Sequence, residues 1–337
     1  MDWFEKLTGF REAGYEATRS RLEVADGRLR SRVNDSSYET GTLELVSLEA
    51  LRERAERGGK LAGGIRTSVV TGDVRRMHQS PENAGALFQV ASQFNLLEMV
   101  SPDVTPEDGV TRYQNDHTQG PACAIAAGAA TIYRNYFAPT DGRAGQTASR
   151  QLNGLADLGE ALSSGTKLPI SDLWTMKNGY ALCNKRGLDA IARYLRTLAP
   201  DEIDRLRGKL CIGIHRDVEV TEAAGPKRPK VSQAFCSALP VAYTRVPAPH
   251  WELFASLVLE AAYEATLWAA ALNAQRGVSN IVLLTLLGGG AFGNRSDWIH
   301  AAIRRALSLI TAVDLNVRLV SYGRPSREVL SIAEEFH

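Results

Sequence analysis

The sequence predicts an α/β fold in which a mixed β-sheet is covered by helices on both faces. From Arg66 onward, short β-branched or apolar runs alternate with segments of helical periodicity, which is typical of such sheets. One late run leads into a cluster of glycines and then into an amphipathic segment. With 337 residues, of which 44% are hydrophobic, the chain can bury a large core without disulfides or metals.

The strands of this sheet are predicted from the apolar and β-branched runs. They are residues 67–70, 87–91, 210–215, 232–238, 280–286 and 316–320. Helices are predicted where apolar residues recur at three- and four-residue spacing, at 122–136, 188–198, 251–274 and 296–310. Glu260 and Glu264 interrupt the apolar stretch 253–272, so this segment is predicted to be a buried helix rather than a membrane span.

Two segments fall outside the alternating pattern. Residues 1–65 combine helical and polar stretches with a strand at 42–46, and they are predicted to form an appendage packed on the main domain, residues 66–337. The region near 138–170 lacks periodicity and contains several Gly, Pro or Ser residues, so it is predicted to be a surface insertion. Residues 222–230 are predicted to form a hairpin tip.

Charge and cysteine content exclude several classes of function. Lysine and arginine total 39 against 38 acidic residues, so no overall field favours nucleic acid or an anionic membrane as partner. The N-terminal residues contain no apolar signal segment. The four cysteines are far apart in the sequence and have no histidine at zinc-ligand spacing. We therefore expect no metal site, and a location in the cytoplasm, or in a host cytosol if the protein is a delivered effector.

The sharpest motif is NIVLLTLLGGGAFGNRSDWIHAAI, a strand that runs into a glycine loop and then a helix. Glycines let the backbone approach a ligand, and their N–H groups together with a helix N-terminus bind phosphate. The loop residues predicted to bind the ligand are Gly288, Gly289, Gly290, Ala291, Phe292, Gly293 and Asn294. A P-loop is excluded because no Gly-Lys-Ser/Thr follows the glycines.

Two other interpretations of the glycines stay open. Gly288, Gly290 and Gly293 match the dinucleotide fingerprint Gly-x-Gly-x-x-Gly, although that fingerprint normally opens the fold, whereas only about one further strand follows here. A tight strand-to-helix turn without any ligand is the other interpretation.

Polar residues also follow two earlier strands. Gly72, Asp73 and Val74 follow the strand at 67–70, and the strand at 87–91 leads to Asn95. Because ligands of open α/β sheets bind at the carboxyl ends of strands, both groups are predicted to face one crevice.

These three stretches resemble motifs of the macrodomain superfamily, which binds ADP-ribose and includes ADP-ribosyl hydrolases. Gly72-Asp73-Val74 is similar to the segment whose aspartate accepts the adenine amino group. Residues 90–95 are similar to the strand end whose last asparagine, here Asn95, binds the distal ribose. Residues 288–294 are similar to the second phosphate loop, in which Phe292 would pack against that ribose.

The stretch FCSALPVAY, together with the following long helix, looks more like the large bacterial glycohydrolase-type macrodomains than the minimal domain. The chain departs from that pattern in its first loop. The paired glutamates of the poly(ADP-ribose) glycohydrolases are absent, and Gln119 and Gly120 stand about where they would be expected. Gln119 is therefore predicted to contact the ligand, and cleavage of the polymer is less expected than release of single ADP-ribose units.

Acidic residues are crowded into the loop that replaces the usual first glycine-rich one. Asp103, Glu107, Asp108 and Asp116 precede the helix predicted to begin near Pro121. Cleavage of an ADP-ribosyl bond passes through an oxocarbenium-like ribose and needs a carboxylate to move a proton. Asp116 and Asp108 are predicted to be the catalytic residues. The competing interpretation is a solvated loop in which both aspartates serve turns.

The sequence thus predicts a three-layer α/β/α macrodomain-like protein with N-terminal and internal insertions that binds ADP-ribose and ADP-ribosylated protein. The expected activity is hydrolysis of mono-ADP-ribosyl groups, with arginine as one candidate for the linked side chain, and it requires no cofactor. A non-catalytic ADP-ribose-binding module is the first alternative. An oxidoreductase of the Rossmann type is the second.

Overall fold

The computed structural model describes residues 1–59, 62–225 and 227–337. Its strands are β1 (Leu22–Ala25), β2 (Arg28–Ser31), β3 (Ser37–Glu39), β4 (Thr42–Ser47), β5 (Arg66–Thr71), β6 (Leu87–Ala91), β7 (Pro139–Thr140), β8 (Arg143–Ala144), β9 (Trp174–Lys177), β10 (Tyr180–Cys183), β11 (Cys211–Glu219), β12 (Lys230–Cys236), β13 (Ile281–Leu284) and β14 (Asn316–Ser321). The predicted hairpin tip at 222–230 includes residue 226, which lies outside the described residues.

Along the chain, most helices lie between strands of the largest sheet. They are α1 (Trp3–Thr8), α2 (Tyr15–Arg19), α3 (Leu48–Arg57), α4 (Val74–Gln79), α5 (Gln119–Ala126), α6 (Gly128–Tyr136), α7 (Ala156–Thr166), α8 (Ile170–Leu173), α9 (Lys185–Leu195), α10 (Pro200–Gly208), α11 (Glu252–Gln275), α12 (Ser296–Leu309) and α13 (Arg327–Glu335).

The central sheet has seven strands in the order β4-β11-β12-β6-β13-β14-β5. The strands from β12 to β5 pair in parallel, whereas β11 pairs antiparallel with both of its neighbours. Every strand predicted from residue 66 onward overlaps a strand of this sheet. The predicted mixed α/β sheet is therefore confirmed.

Alternating residues of the sheet pack into two separate cores. Val282 and Leu284 of β13 face the larger core, which contains residues of α3, α7, α9, α11 and α12. Leu283 faces the other core with Phe88 and residues of α4, α5 and α6. Because successive side chains of a strand point to opposite faces, this alternation produces three layers.

The expected boundary at residue 65 does not coincide with a structural break. β4 is an edge strand of the central sheet, with Ser47 opposite Cys211, and Leu48 and Leu51 of α3 are buried in the larger core. The strands β1, β2 and β3 form a small separate sheet, which packs with α1, α5 and α6 around a third cluster of buried residues. Among the described residues of this segment, those before β4 therefore stand apart from the central sheet.

The region near 138–170 differs from the predicted surface insertion. It contains α7, whose Leu158 and Leu162 are buried in the larger core together with Leu155. The sequence pattern obscured this helix because small and polar residues, including Ser163 and Ser164, lie among its leucines.

The helix predicted at 122–136 is interrupted at Ala127, which separates α5 from α6. The backbone at the break bonds to another segment: the Gly128 N–H donates to Thr221 Oγ1 at 2.8 Å, and the Glu222 N–H donates to the Ala126 carbonyl. These bonds replace those that a continuous helix would make there.

α11 forms the centre of the larger core. Its length and apolar composition alone would allow it to span a membrane, but 78% of its most apolar stretch is buried inside the protein. Such burial is typical of a core helix and agrees with the prediction for residues 251–274.

Glu264 on α11 is the centre of a buried ionic network. Its carboxylate accepts hydrogen bonds from Arg52 at 2.6 Å and Arg305 at 2.7 Å, and the same two arginines contact Asp204. Burial alone would raise the pKa of Glu264, but the bonds from Arg52 and Arg305 outweigh it and the pKa is lowered. The network joins α3, α10, α11 and α12.

Glu264→Gln is expected to reduce the free energy of unfolding by about 2 kcal/mol, because two arginines lose their shared carboxylate. This value is below that for a fully buried pair, since both arginine side chains are 24% exposed. Urea denaturation measures the change, and Glu53→Gln, at an exposed position, serves as a control with a change within about 0.5 kcal/mol.

Because the pKa of Glu264 is lowered in the folded state, its contribution to stability is present near neutral pH and is lost as the pH falls through the folded-state pKa. Equal stability of the wild type and Glu264→Gln at neutral pH would contradict this role.

Candidate active site

A cleft lies at the carboxyl ends of the central parallel strands. It is lined by residues that follow β6, β12 and β13, including Ser92, Ala238 and Thr285. β6 and β13 pair only at two positions, Leu87 with Val282 and Phe88 with Leu283. Beyond them the two strands are no longer paired, and separation of strands at their carboxyl ends produces the crevice in which open α/β sheets bind ligands.

Gln119, a predicted ligand contact, both lines the cleft and completes its floor. Its side-chain carbonyl accepts from the Ala91 N–H at 2.8 Å, and its amide donates to the Gln89 carbonyl at 2.8 Å. These groups of β6 lie beyond the register in which it pairs with β13. The residue after Gln119 must be glycine, since a Cβ at Gly120 would lie 2.0 Å from the Ala91 carbonyl oxygen.

The glycine loop forms one wall of the cleft through Gly288, Gly290, Ala291 and Phe292. Gly288 adopts a φ of 75°, and a Cβ there would lie 2.5 Å from Ala238 Cβ, so only glycine fits. The N–H groups of Gly290, Ala291 and Phe292 donate no hydrogen bond to any other described residue. Three consecutive free N–H groups on a loop at a cleft form a suitable site for an anion.

Other predicted loop residues hold this wall in place without lining the cleft. Asn294 is buried, and its side-chain amide donates to the Leu239 carbonyl at 2.9 Å, while its backbone N–H donates to Gly288. The Gly293 N–H donates to the Gly290 carbonyl, and the Gly289 N–H donates to Leu286. The predicted residues of this loop therefore divide into a lining set and an anchoring set.

The prediction from sequence missed Glu98, a buried carboxylate that lines the cleft. The residue is only 2% exposed, and a Cβ on Gly120 would lie 3.2 Å from Glu98 Cγ. Burial raises the pKa of the Glu98 carboxyl to about 7, although Arg134 opposes this shift. A carboxyl with a pKa near neutrality can both accept and donate a proton under physiological conditions.

The fully buried Arg134 of α6 holds Glu98 in position. Its Nη2 donates to both carboxylate oxygens, at 3.0 and 3.3 Å, and its Nε donates to the Leu96 carbonyl at 3.1 Å. The guanidinium also lies 3.9 Å from the centroid of the Phe235 ring. Glu98 is therefore a fixed carboxylate, oriented by a partner on another element.

The two predicted catalytic aspartates lie in different environments. Asp116 lines the cleft, where its Oδ1 accepts from the Thr118 N–H at 2.9 Å in an Asx turn. Asp108 does not line the cleft: its Oδ2 accepts from the Thr105 N–H at 2.8 Å and so caps a short 3₁₀ helix. Both aspartates therefore have the turn or capping contacts of the competing interpretation. Asp116 also lines the cleft, so it stays a candidate catalytic residue, whereas Asp108 does not.

The remaining loop acids have structural partners. Both carboxylate oxygens of Glu107 accept from the Ala148 N–H, and Asp103 pairs with Lys177. Neither residue lines the cleft. The crowding of acids in the sequence thus reflects turns and surface pairs as much as chemistry.

The residues predicted from the two earlier strands do not line the cleft. Asn95 is fully buried, and its side chain accepts from the Leu97 N–H and donates to Gln151, which fixes the turn that leads to Glu98. Asp73 caps α4 by accepting from the Arg75 N–H at 2.9 Å, and Val74 is buried against the sheet. β5, which precedes Asp73, is two strands from β13, or about 10 Å. A contact between Asp73 and a long ligand stays a prediction.

Three aromatic rings form the wall between the glycine loop and Glu98. The Tyr180 centroid lies 5.3 Å from that of Phe292 and 5.2 Å from that of Tyr243. The Tyr180 hydroxyl donates to the Met99 carbonyl at 2.6 Å. Burial, with smaller contributions from Tyr243 and Asp116, raises the pKa of Tyr180, so the phenol stays neutral. The wall is apolar and has a fixed shape.

The charge of the lining is unusual for a site that would bind an anion. Among the described residues, Glu98 and Asp116 are the acidic residues of the lining, and none of the lining residues is arginine, lysine or histidine. An anion would have to rely on backbone N–H groups. Over the same described ranges, no three His, Cys, Asp or Glu side chains form a cluster that could hold a metal ion.

No family model and no curated protein matches the chain. Solved structures of bacterial poly(ADP-ribose) glycohydrolases are similar to it at low identity. The Deinococcus radiodurans enzyme in complex with ADP-ribose is 12% identical over 87% of this chain and 92% of that one, with a TM-score of 0.43. The Thermomonospora curvata enzyme bound to the inhibitor ADP-HPD is 14% identical over 95% and 96%, also with a TM-score of 0.43. Such low scores assign no function, which must be inferred from the residues of the cleft.

Proposed function

We propose that this protein is an ADP-ribosyl hydrolase that releases single ADP-ribose units from modified protein. The observation that carries the proposal is one cleft that has free backbone N–H groups on one wall and two carboxylates, Glu98 and Asp116, among its other lining residues. A ligand suited to both features is a glycoside attached to a diphosphate. The motif resemblance to macrodomains supports ADP-ribose as that glycoside.

Each part of the cleft has a role in this reaction. The glycine loop would hold the diphosphate and thereby fix the distal ribose against Phe292. Glu98 would take a proton from the attacking water, and the charge of Asp116 would stabilise the oxocarbenium-like ribose. Oriented dipoles and fixed charges of this kind stabilise a transition state because they need no reorganisation during the reaction.

The direct experiment measures release of ADP-ribose from a mono-ADP-ribosylated protein by the wild type and by Asp116→Asn. We expect turnover by the wild type and a reduction of about ten- to a hundredfold in the variant, with affinity for free ADP-ribose retained within a few fold. The exposed Asp103→Asn is the matched control and should keep the wild-type rate. Binding of ADP-ribose without release from any modified protein would instead support the binding module.

A further inference from the structure

We infer that the part of the cleft that receives the leaving group binds a cation, and that the substrate carries ADP-ribose on the guanidinium of an arginine side chain. This inference rests on the proposed function, since it concerns the same cleft. Three independent features support it: the charge of the lining, the aromatic wall and the composition of the rim.

The charge of the lining is the first feature. Glu98 and Asp116 are both carboxylates, and no basic side chain is among the described residues that line the cleft. Arg134 compensates the charge of Glu98, whereas Asp116 has no cationic partner among the described residues. A leaving group that carries further phosphates, as in a polymer of ADP-ribose, would be repelled by Asp116, whereas a guanidinium would be attracted.

The aromatic wall is the second feature. Tyr180, Tyr243 and Phe292 lie with their ring centroids 5.2 to 5.6 Å apart. Aromatic faces attract cations, and a planar guanidinium stacks on them better than an ammonium does. Because Tyr243 and Phe292 are only partly buried, their rings remain accessible to a ligand. A carboxylate beside an accessible aromatic surface suits an arginine side chain.

The third feature is the rim of the cleft next to Glu98, which is formed by Met99 and Val100. Met99 and Val100 follow Glu98 directly and also line the cleft, and Val100 is 39% exposed. The residues next to the reacting carboxylate are therefore apolar and suited to the methylene groups of an arginine rather than to a hydrated, anionic chain.

The reaction balances with this leaving group. The oxygen of water bonds to C1 of the distal ribose while the bond from C1 to the guanidinium nitrogen breaks. The water proton passes to Glu98 and from there to the departing guanidine, which leaves as guanidinium. A cationic substrate and water thus give ADP-ribose and a protonated arginine, so no net proton, oxidant or cofactor is consumed.

The test compares peptides that carry ADP-ribose on arginine or on serine, and poly(ADP-ribose). We expect kcat/KM for the arginine-linked peptide to exceed that for either other substrate by about tenfold or more, from charge attraction and aromatic contact together. Val100→Lys, which places a cation at the rim, should remove most of this preference, whereas Val100→Met, which is uncharged and apolar, should keep it. Affinity for free ADP-ribose should change by less than about threefold in both variants, because the change lies outside the diphosphate site.

Binding provides a readout that does not depend on turnover. The Glu98→Gln variant should bind the arginine-linked peptide more tightly than the serine-linked one, and Val100→Lys introduced into it should abolish the difference. Hydrolysis of all substrates without an arginine preference would overturn the inference and leave the hydrolase proposal standing. Absence of hydrolysis together with tighter binding of the arginine-linked peptide would support the inference and overturn the hydrolase proposal. Equal binding of both peptides would overturn the inference in either case.

Discussion

Replacing Glu98 with glutamine is expected to reduce kcat for release of ADP-ribose by about two to four orders of magnitude, the usual contribution of general acid–base catalysis. Glutamine keeps the shape of the side chain and can still accept a hydrogen bond from Arg134, but it cannot take a proton from water. The dissociation constant of free ADP-ribose should change by only a few fold, since we propose that the glycine loop, and not Glu98, binds the diphosphate. Kinetic assays and calorimetry on the same preparation measure the two effects.

The pH dependence gives a second readout of Glu98. Its pKa is raised to about 7 by burial, so the carboxylate that accepts the proton forms as the pH rises through about 7. The kcat/KM of the wild type should therefore increase as the pH rises through about 7, and this increase should be absent from Glu98→Gln.

The raised pKa of Glu98 also affects stability. The protonated carboxyl stabilises the fold below pH 4.5, and this contribution is lost as the pH rises through 7.

Controls separate catalysis from folding. Asp103→Asn removes an exposed carboxylate of the same loop region and should leave kcat unchanged within about twofold. The thermal midpoint of Glu98→Gln should show that the variant is folded at the assay temperature. A folded Glu98→Gln protein with the wild-type rate and pH profile would show that the Glu98–Arg134 pair is structural only.

The glycine loop could be found from sequence because its chemistry is local. A strand, three consecutive glycines and an amphipathic helix determine the backbone geometry within a short segment, and the structure places Gly288, Gly290 and Phe292 on the cleft. The central strands were predicted for the same reason, since each depends on its own run of apolar residues. Local patterns do not reveal which strands become neighbours, and this explains why β4 was expected in an appendage.

Glu98 was missed because its significance depends on a distant partner. The available signal was a single carboxylate within the apolar run Leu96, Leu97, Glu98, Met99 and Val100. A charge in such a run is either exposed or paired, and its partner Arg134 lies 36 positions later on α6. The opposite error affected Asp108, where proximity in sequence to Asp116 suggested shared chemistry although the side chain caps its own turn.

Gly290→Glu is expected to weaken binding of ADP-ribose by more than about a hundredfold without unfolding the protein. A Cβ at Gly290 meets no other atom within 4 Å, so the side chain can be accommodated by the fold. Its carboxylate would stand beside the free N–H groups of Gly290, Ala291 and Phe292, where the diphosphate is expected. Two like charges about 5 Å apart at an effective dielectric constant of about 20 repel by about 3 kcal/mol, which is more than a hundredfold in affinity.

Two variants identify the cause of that loss. Gly290→Gln adds nearly the same volume without the charge and should retain part of the affinity, so the difference between the two variants measures the electrostatic part of the effect. Gly323→Glu places the same carboxylate at another glycine whose Cβ would meet nothing within 4 Å, outside the cleft lining, and should bind ADP-ribose as the wild type does. Calorimetry on the three variants tests whether the loop binds the diphosphate. Unchanged affinity for ADP-ribose in a folded Gly290→Glu protein would show that it does not. An equal loss in the glutamate and glutamine variants would indicate that volume, rather than phosphate charge, blocks the cleft.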